Sequence, residues 1–340
     1  MTSDLRDTTG NRPPPLEYVI PLCWEEHDQA EFEEFTAYLQ TLTSAVDVTV
    51  VDGSPAAVYD AHAQRWAPAV RHLPPQPWPG RNGKVGGVVT GVRAARHEAV
   101  VIADDDVRYS PAQLRELAGE LDGADLVRPQ NFFLPAPWHA RWDTARSLIN
   151  RAVGADYPGT FLLRRSTFLA MGGYHGDVLF ENLQLIRTVR AAGGRERRLP
   201  GFYVARRPPS TARFMQQRVR QAYDDFAQPA RLVVEALVLP LSALAAARKP
   251  VRLLAAACAL TAVAEYGRRR AGGAAVFPRT AALWAPVWAV ERAVCVWPAI
   301  FARIRGGISY RGQRLRYAGL PVDPPRPAIA GLGPEGPTDD

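Results

Sequence analysis

Glu98-Ala-Val-Val-Ile-Ala103 runs straight into Asp104-Asp105-Asp106, and Ser110-Pro111 opens the segment that follows. The apolar run is too short to be a helix and has no polar alternation, so it reads as a strand buried on both faces. A serine at the N-cap with proline at the first helical position predicts a helix from 111. The same grammar recurs upstream. Glu17–Leu22 (EYVIPL) is a short apolar strand, and Glu31–Val46 carries Phe32, Phe35, Leu39 and Leu42 at helical spacing. Val46–Val51 (VDVTVV) is a β-branched strand ending in the turn Asp52-Gly53-Ser54-Pro55. A helix over Ala56–Trp66, a strand at Val70–Leu73 and a helical spacing over Gly83–Ala95 complete the pattern. Such alternation predicts an α/β fold with a mostly parallel central sheet covered on both faces. Ligands of these sheets sit beyond the C-terminal ends of the strands, where Asp52 and Asp104–Asp106 both fall.

At 340 residues, 47% of them apolar, the chain can bury a large domain and an appendage, which excludes global disorder. Its formal charge of +7 calls for an anionic partner: nucleotide phosphates, nucleic acid or an acidic membrane leaflet. Asp and Glu gather in the first sixty residues, whereas Arg crowds from Arg187 onward, in the half with the longest apolar runs. That coincidence favours a membrane surface, and no nucleic-acid partner is expected. Cys23, Cys258 and Cys295 are too few and too far apart for a disulfide framework or a cysteine zinc site, which fits a reducing compartment. The N-terminal MTSDLRDTTGNRPPP has no apolar signal region, so the catalytic domain is expected in the cytoplasm, at the cell membrane.

The expected organisation is a disordered tail over 1–16, a catalytic domain over 17–228, a membrane-associated helical region over 229–310 and a second disordered tail over 320–340. Arg213–Phe226 reads as one basic, aromatic helix, and Leu232–Ala247, Val251–Tyr266 and Ala281–Ile304 are apolar. A spanning helix needs about 20 apolar residues. The first two stretches are shorter and contain Glu235 and Glu265, so a soluble hairpin packed on the domain competes with a membrane element. Trp284, Trp288 and Trp297, with flanking arginine clusters, favour interfacial or re-entrant helices.

Four segments carry chemistry. Asp104 and Asp106 on a turn can chelate Mg2+ or Mn2+, hard ions that accept substrate phosphates as further ligands; a solvated acidic turn is the alternative. Asp52 can hydrogen-bond a ribose or base, although Asp-Gly-Ser also suits a plain Asx-turn. Arg81–Gly87 offers glycine amides and Lys84 to a phosphate, or is a flexible loop. Gly172–Asn182 offers Glu181 or Asp177 as a general base, while Glu181 at a helix start also simply complements the dipole.

In this order the segments resemble the family-two glycosyltransferases, over about residues 17 to 225. Tyr18-Val19-Ile20-Pro21 with Glu25 looks like that family's opening strand, Val51-Asp52-Gly53-Ser54 like its nucleoside segment, and Gly83-Lys84 with Gly91 like its glycine-lysine helix. Asp104-Asp105-Asp106-Val107 looks like the DxD element, Gly172-Gly173-Tyr174 with Glu181-Asn182 like GGF...ED, and Gln217-Arg218-Val219-Arg220-Gln221 like QxxRW. The last, with the apolar tail, is similar to the ceramide glucosyltransferase-like and processive branches. The resemblance implies a GT-A fold with C-terminal apolar helices and an inverting, metal-dependent transfer from a nucleotide diphospho-sugar to a hydroxyl of a lipid or lipid-linked acceptor. It implies Asp52, Lys84, Asp104, Gln217 and Arg220 toward the donor, Asp104 and Asp106 toward the metal, and Glu181 or Asp177 as base. Asn182 stands where that family has its aspartate base, Gln221 replaces the tryptophan of QxxRW, and Thr90 replaces an asparagine after the glycine-lysine helix. An amide cannot accept a proton at neutral pH, so a catalytically impaired nucleotide-sugar-binding subunit is the alternative. A nucleotidyltransferase would need a phosphate-grasping glycine loop near the N-terminus, and the sequence has none there.

Overall fold

The apolar runs β1 (Leu16–Leu22), β2 (Asp47–Asp52), β3 (Arg71–Leu73) and β4 (Ala99–Ala103) lie parallel in the order β3-β2-β1-β4. The computed structural model describes residues 15–26, 28–321 and 326–332. Between these strands run α1 (Gln29–Thr43), α2 (Ala56–Trp66) and α3 (Gly83–Ala94). Strand alternation divides the core: Tyr18, Ile20 and Leu22 of β1 pack with α1 and Trp66, while Val19 faces α3. Where α3 crosses β1, a Cβ at Gly91 would lie 2.2 Å from a Val19 methyl, so only glycine permits that approach. Side-chain caps start the helices: Asp28 accepts from the Glu31 amide at 2.9 Å, and Asn82 from the Lys84 amide at 3.1 Å. Each such cap stabilises by about 1 kcal/mol.

The rest of the sheet is built from β5 (Val107–Arg108), β6 (Leu126–Phe133), β7 (Thr160–Arg164) and β8 (Glu196–Arg206). With these the sheet has eight strands in the order β3-β2-β1-β4-β7-β6-β8-β5. β7 enters antiparallel between β4 and β6, and β5 is an antiparallel edge on β8. The helices α4 (Pro111–Ala118), α5 (Trp138–Val153), α6 (Arg165–Ala170) and α7 (Glu181–Ala191) connect them. The Ser110–Gln113 capping box expected of Ser110-Pro111 starts α4.

The basic stretch after Arg207 is not one helix but two, α8 (Thr211–Gln216) and α9 (Arg218–Asp224), meeting at Gln217. α10 (Pro229–Arg248), α11 (Val251–Arg269) and α12 (Ala285–Ile304) follow, then the hairpin β9 (Ile308–Tyr310) and β10 (Gln313–Leu315). These helices pack on the α/β domain through α5 and α9 rather than hanging from it. Ala145 and Leu148 of α5 share a core with Ala264, Phe277, Ala281 and Trp288. A buried ionic layer adds to this contact: Arg218 reaches Asp143 at 3.2 Å and Glu291 at 3.8 Å, and Asp225 takes Arg231 at 3.2 Å and Arg292 at 3.6 Å. Removing one side of such a pair costs about 3–5 kcal/mol, so these pairs tie the helices after 229 to the residues before them.

Two segments, Pro229–Arg248 and Ala281–Ile304, are long and apolar enough to cross a membrane, and only 6% and 33% of their apolar windows are buried. The expected tails fall mostly outside the described residues, at 1–14, 322–325 and 333–340. Within the expected C-terminal tail, residues 326–332 are docked: the Ile329 amide donates to Leu169 O at 3.0 Å and the Leu332 amide to Arg93 O at 2.8 Å.

Candidate active site

β4 runs into Asp104, whose amide donates to Gly159 O at 2.9 Å and so fixes the acidic turn against the strand beside it. Only glycine at 159 leaves room for the carboxylate, since a Cβ there would lie 2.4 Å from Asp104 Oδ2. The turn sends its three side chains to different partners. Trp24 Nε1 donates to Asp105 at 2.9 Å, which removes the middle residue from the pair. Arg206, at the end of β8, bridges the other two: its Nε donates to Asp106 at 2.8 Å and its Nη2 lies 3.3 Å from Asp104.

Lys84 completes the cluster. Its position follows from the Asn82 cap, which starts α3 beside the strand ends, and its ammonium lies 2.5 Å from both Asp104 Oδ1 and Glu181 Oε1. Glu181 begins α7, is buried, and also accepts from the Tyr174 hydroxyl at 3.3 Å. Segments some 100 residues apart in sequence thus meet in one chain of charges, Glu181–Lys84–Asp104–Arg206–Asp106.

Burial sets the electrostatics. It raises the pKa of Glu181, with Lys84 opposing. It also acts to raise Asp104, but Lys84 and Arg206 outweigh it and hold that carboxyl below its usual value. Asp106 goes the other way: burial raises it, Arg206 opposes, and the neighbouring Asp104 and Asp105 add to the rise. Lys84 is held well above the ordinary amine value, because Asp104 and Glu181 overcome the cost of its burial. Asp106 Oδ1 is buried with no partner among the described residues, a loss of about 1–3 kcal/mol for an uncompleted polar group. Asp106 Oδ1, with the Asp104 carboxylate on the same turn, offers the oxygen donors that a hard divalent cation takes.

The other expected residues lie elsewhere. Asp52 is 1% exposed. Its Oδ2 meets His62 Nδ1 at 2.6 Å and His72 Nε2 at 3.0 Å, and its Oδ1 accepts from the Ser54 amide at 2.9 Å. The Asx-turn is therefore formed, and direct contact with a nucleoside is not available to this carboxylate while the histidines hold it. Burial opposes its ionisation, yet those hydrogen bonds prevail and keep its pKa well below the carboxylate range. The Asp52–His62–His72 group is compact enough to surround an ion, but hydrogen bonds this short already satisfy the carboxylate without one.

Asp177 is exposed and caps the Arg81 amide at 3.2 Å, away from the charge chain. Asp177→Asn is accordingly expected to be nearly silent in a turnover assay; a large loss would restore it as a base. Gln217 sits at the junction of α8 and α9, and the Arg220 guanidinium lies 5.2 Å from the Tyr310 ring. Neither is hydrogen-bonded to the acidic cluster among the described residues. Arg206 escaped the sequence reading, because in ERRLPGFYVAR nothing but pairing in the sheet marks one arginine from the rest.

Residues 59–128 match the family Glycosyl transferase family 21, over less than half of the chain. A search of curated proteins finds no match. Among solved structures the chain is similar to the mannosyltransferase PcManGT from Pyrobaculum calidifontis in complex with GDP-Man and Mn2+, at 18% identity and a TM-score of 0.52, over 84% of this chain and 88% of that one. A glucosyl-3-phosphoglycerate synthase from M. tuberculosis is also similar, at 18% identity and a TM-score of 0.40, over 58% of this chain and 72% of that one. The expected fold is thereby established, while the branch expected from the sequence is not singled out. The chain has a GT-A glycosyltransferase fold, an α/β structure with a mostly parallel central sheet and apolar helices toward its C-terminus.

Proposed function

We propose that the chain is a hexosyl glycosyltransferase that moves a sugar, with inversion, from a nucleotide diphospho-sugar to a hydroxyl of a lipid or lipid-linked acceptor. The observation that carries this reading is the convergence of Asp104, Asp106, Lys84, Arg206 and Glu181 beyond the C-terminal end of β4. The match to Glycosyl transferase family 21 and the fold support it.

Asp104 and Asp106 would hold the Mn2+ or Mg2+, which when bound supplies positive charge to the leaving diphosphate. Lys84 and Arg206 add cations beside the same position. Glu181 would accept the proton of the acceptor hydroxyl as its oxygen attacks the anomeric carbon. The bond from that carbon to the diphosphate oxygen breaks, and the nucleoside diphosphate departs with the electron pair. Burial of Glu181 makes it a stronger base than an exposed carboxylate, provided the Lys84 ammonium shifts toward the diphosphate once donor is bound. Incubating the purified full chain with Mn2+ and a panel of nucleotide sugars tests the reading by release of nucleoside diphosphate. Donor binding without turnover would instead identify an impaired subunit.

The lipid side rests on an inverted pattern in α10 and α12. Within them Arg231, Glu235, Glu291 and Arg292 turn toward the domain, and Arg248 and Arg303 stand in the last turns. Val287, Val290, Val294, Trp297, Phe301 and Ile304, spaced at three and four, form an exposed stripe, with Val290 61% and Ile304 77% exposed. Val233, Val234, Leu237, Leu241 and Leu244 do the same on α10. An apolar face this continuous, with its charges inside, suits a bilayer rather than water. The acceptor is thus proposed to arrive along the cytoplasmic surface of the cell membrane. Leu237→Glu with Val290→Glu, both exposed, is expected to release the full chain from anionic phospholipid vesicles in flotation without lowering its melting temperature. A variant that floats as wild type does would remove the membrane assignment.

A further inference from the structure

The hairpin after α12 ends in Arg311-Gly312, a two-residue loop whose φ values are 47° and 72°. Positive φ at both positions is the type I′ turn, for which Asn-Gly or Gly-Gly is the ordinary choice. Arginine in the left-handed region costs about 1–2 kcal/mol, and nothing in the turn itself requires it. Residues kept in such conformations cluster at functional sites.

Its surroundings are those of the donor site. The Arg311 guanidinium donates to Cys23 O at 2.8 Å, just past the end of β1, and Asp105 and Glu25 lie within its electrostatic reach. From the other strand of the hairpin, Arg314 O accepts from the Arg81 guanidinium at 3.0 Å, at the glycine loop that starts α3. The hairpin therefore reaches from the end of β1 to the start of α3, the helix carrying Lys84, across the edge where ligands of such sheets bind. It hangs from α12 by Gly306 and Gly307, at φ 96° and 128°, conformations that leave the connection to glycine. Beyond it, Tyr317 O and Ala318 O accept from the Leu179 and Phe180 amides at 2.9 and 2.8 Å, directly before Glu181.

We propose that Arg311 binds the diphosphate of the nucleotide, brought over the sheet edge by the hairpin that follows the second apolar helix. This rests on the donor class proposed above. Among the described residues its guanidinium makes one hydrogen bond, so most of its five N–H donors remain for an anion. A planar fork beside Asp105, on the same turn whose Asp104 and Asp106 meet Lys84 and Arg206, suits two bridged phosphates better than a single carboxylate.

Asparagine at 311 separates charge from turn geometry, because it accepts the left-handed conformation and lacks the cation. Titrations of the full chain with ADP, CDP, GDP, dTDP and UDP, each with Mn2+, and with the matching unphosphorylated nucleosides read the effect directly. Wild type is expected to bind one diphosphate, and Arg311→Asn to bind it about tenfold or more weakly, the loss of one charge-assisted contact. Arg311→Lys should recover part of that loss, with nucleoside binding unchanged and melting temperature not lowered in either. Diphosphate binding by Arg311→Asn as tight as wild type overturns the assignment and leaves the donor reading intact. Failure of wild type to bind any diphosphate overturns both.

Discussion

Asp104→Asn and Asp106→Asn are each expected to lower donor turnover by about 10²-fold or more, the scale set by losing one group that stabilises charge developing in a transition state. Both carboxylates lie on one turn and share Arg206, and Asp106 keeps a buried oxygen without a partner. The amide keeps the shape of each side chain but not the charge that would attract a divalent cation. The measurement is nucleoside diphosphate release by the full chain, with and without EDTA, beside a thermal melt. EDTA should reproduce the loss in wild type, and Mn2+ should restore it there but not in the variants. Because each substitution leaves Arg206 short of a counter-charge, a lowered melting temperature would show that activity was lost through the fold. Turnover that persists in EDTA and in both variants would sink the metal reading.

How much of this was visible in the sequence differs between the halves of the sheet. β1, β2 and β4 could be read within one or two residues because each is buried on both faces and so keeps an uninterrupted apolar run. Their C-terminal ends gave Asp52, Asp104 and Asp106, and the glycine-rich segment Arg81–Gly87 gave Lys84. The strands β6 (LVRPQNFF) and β8 (ERRLPGFYVAR) mix arginine, proline and glycine into the pattern, and their pairing is decided by neighbours distant in the chain. Arg206 and the antiparallel entry of β7 were hidden for that reason. Asp52 was legible as a strand-end position and as an Asx-turn, but not in its partners: the histidines that fill its carboxylate come from α2 and β3, ten and twenty residues on. Arg311 was hidden because its meaning lies in a contact with Cys23 across almost the whole chain. The direction of the acid inside the first apolar stretch was also hidden. Glu235 turns inward, with Arg231 at 3.0 Å, and leaves the outer face of α10 apolar.

Glu181→Gln is expected to reduce turnover by about 10²- to 10⁴-fold, the range for loss of a general base. The case rests on where the carboxylate is. Asn182 follows it on α7 and cannot take a proton, and Asp177 is exposed and occupied with the Arg81 amide. Glu181 alone of the three is buried, joined through Lys84 to the acidic turn, and raised in pKa by that burial. The sign of the pH effect follows. A base works when ionised, so a raised pKa means that turnover falls, as pH is lowered, at a higher pH than for an ordinary carboxylate. Glu181→Gln should remove that acidic limb from whatever activity survives, while donor affinity changes little, since the amide retains a carbonyl toward Lys84. If Glu181→Gln keeps most of its turnover and Asn182→Asp raises it, the base has been placed one residue too early. The natural chain would then be an impaired transferase, and the bond between Glu181 and Lys84 a structural brace for the start of α7.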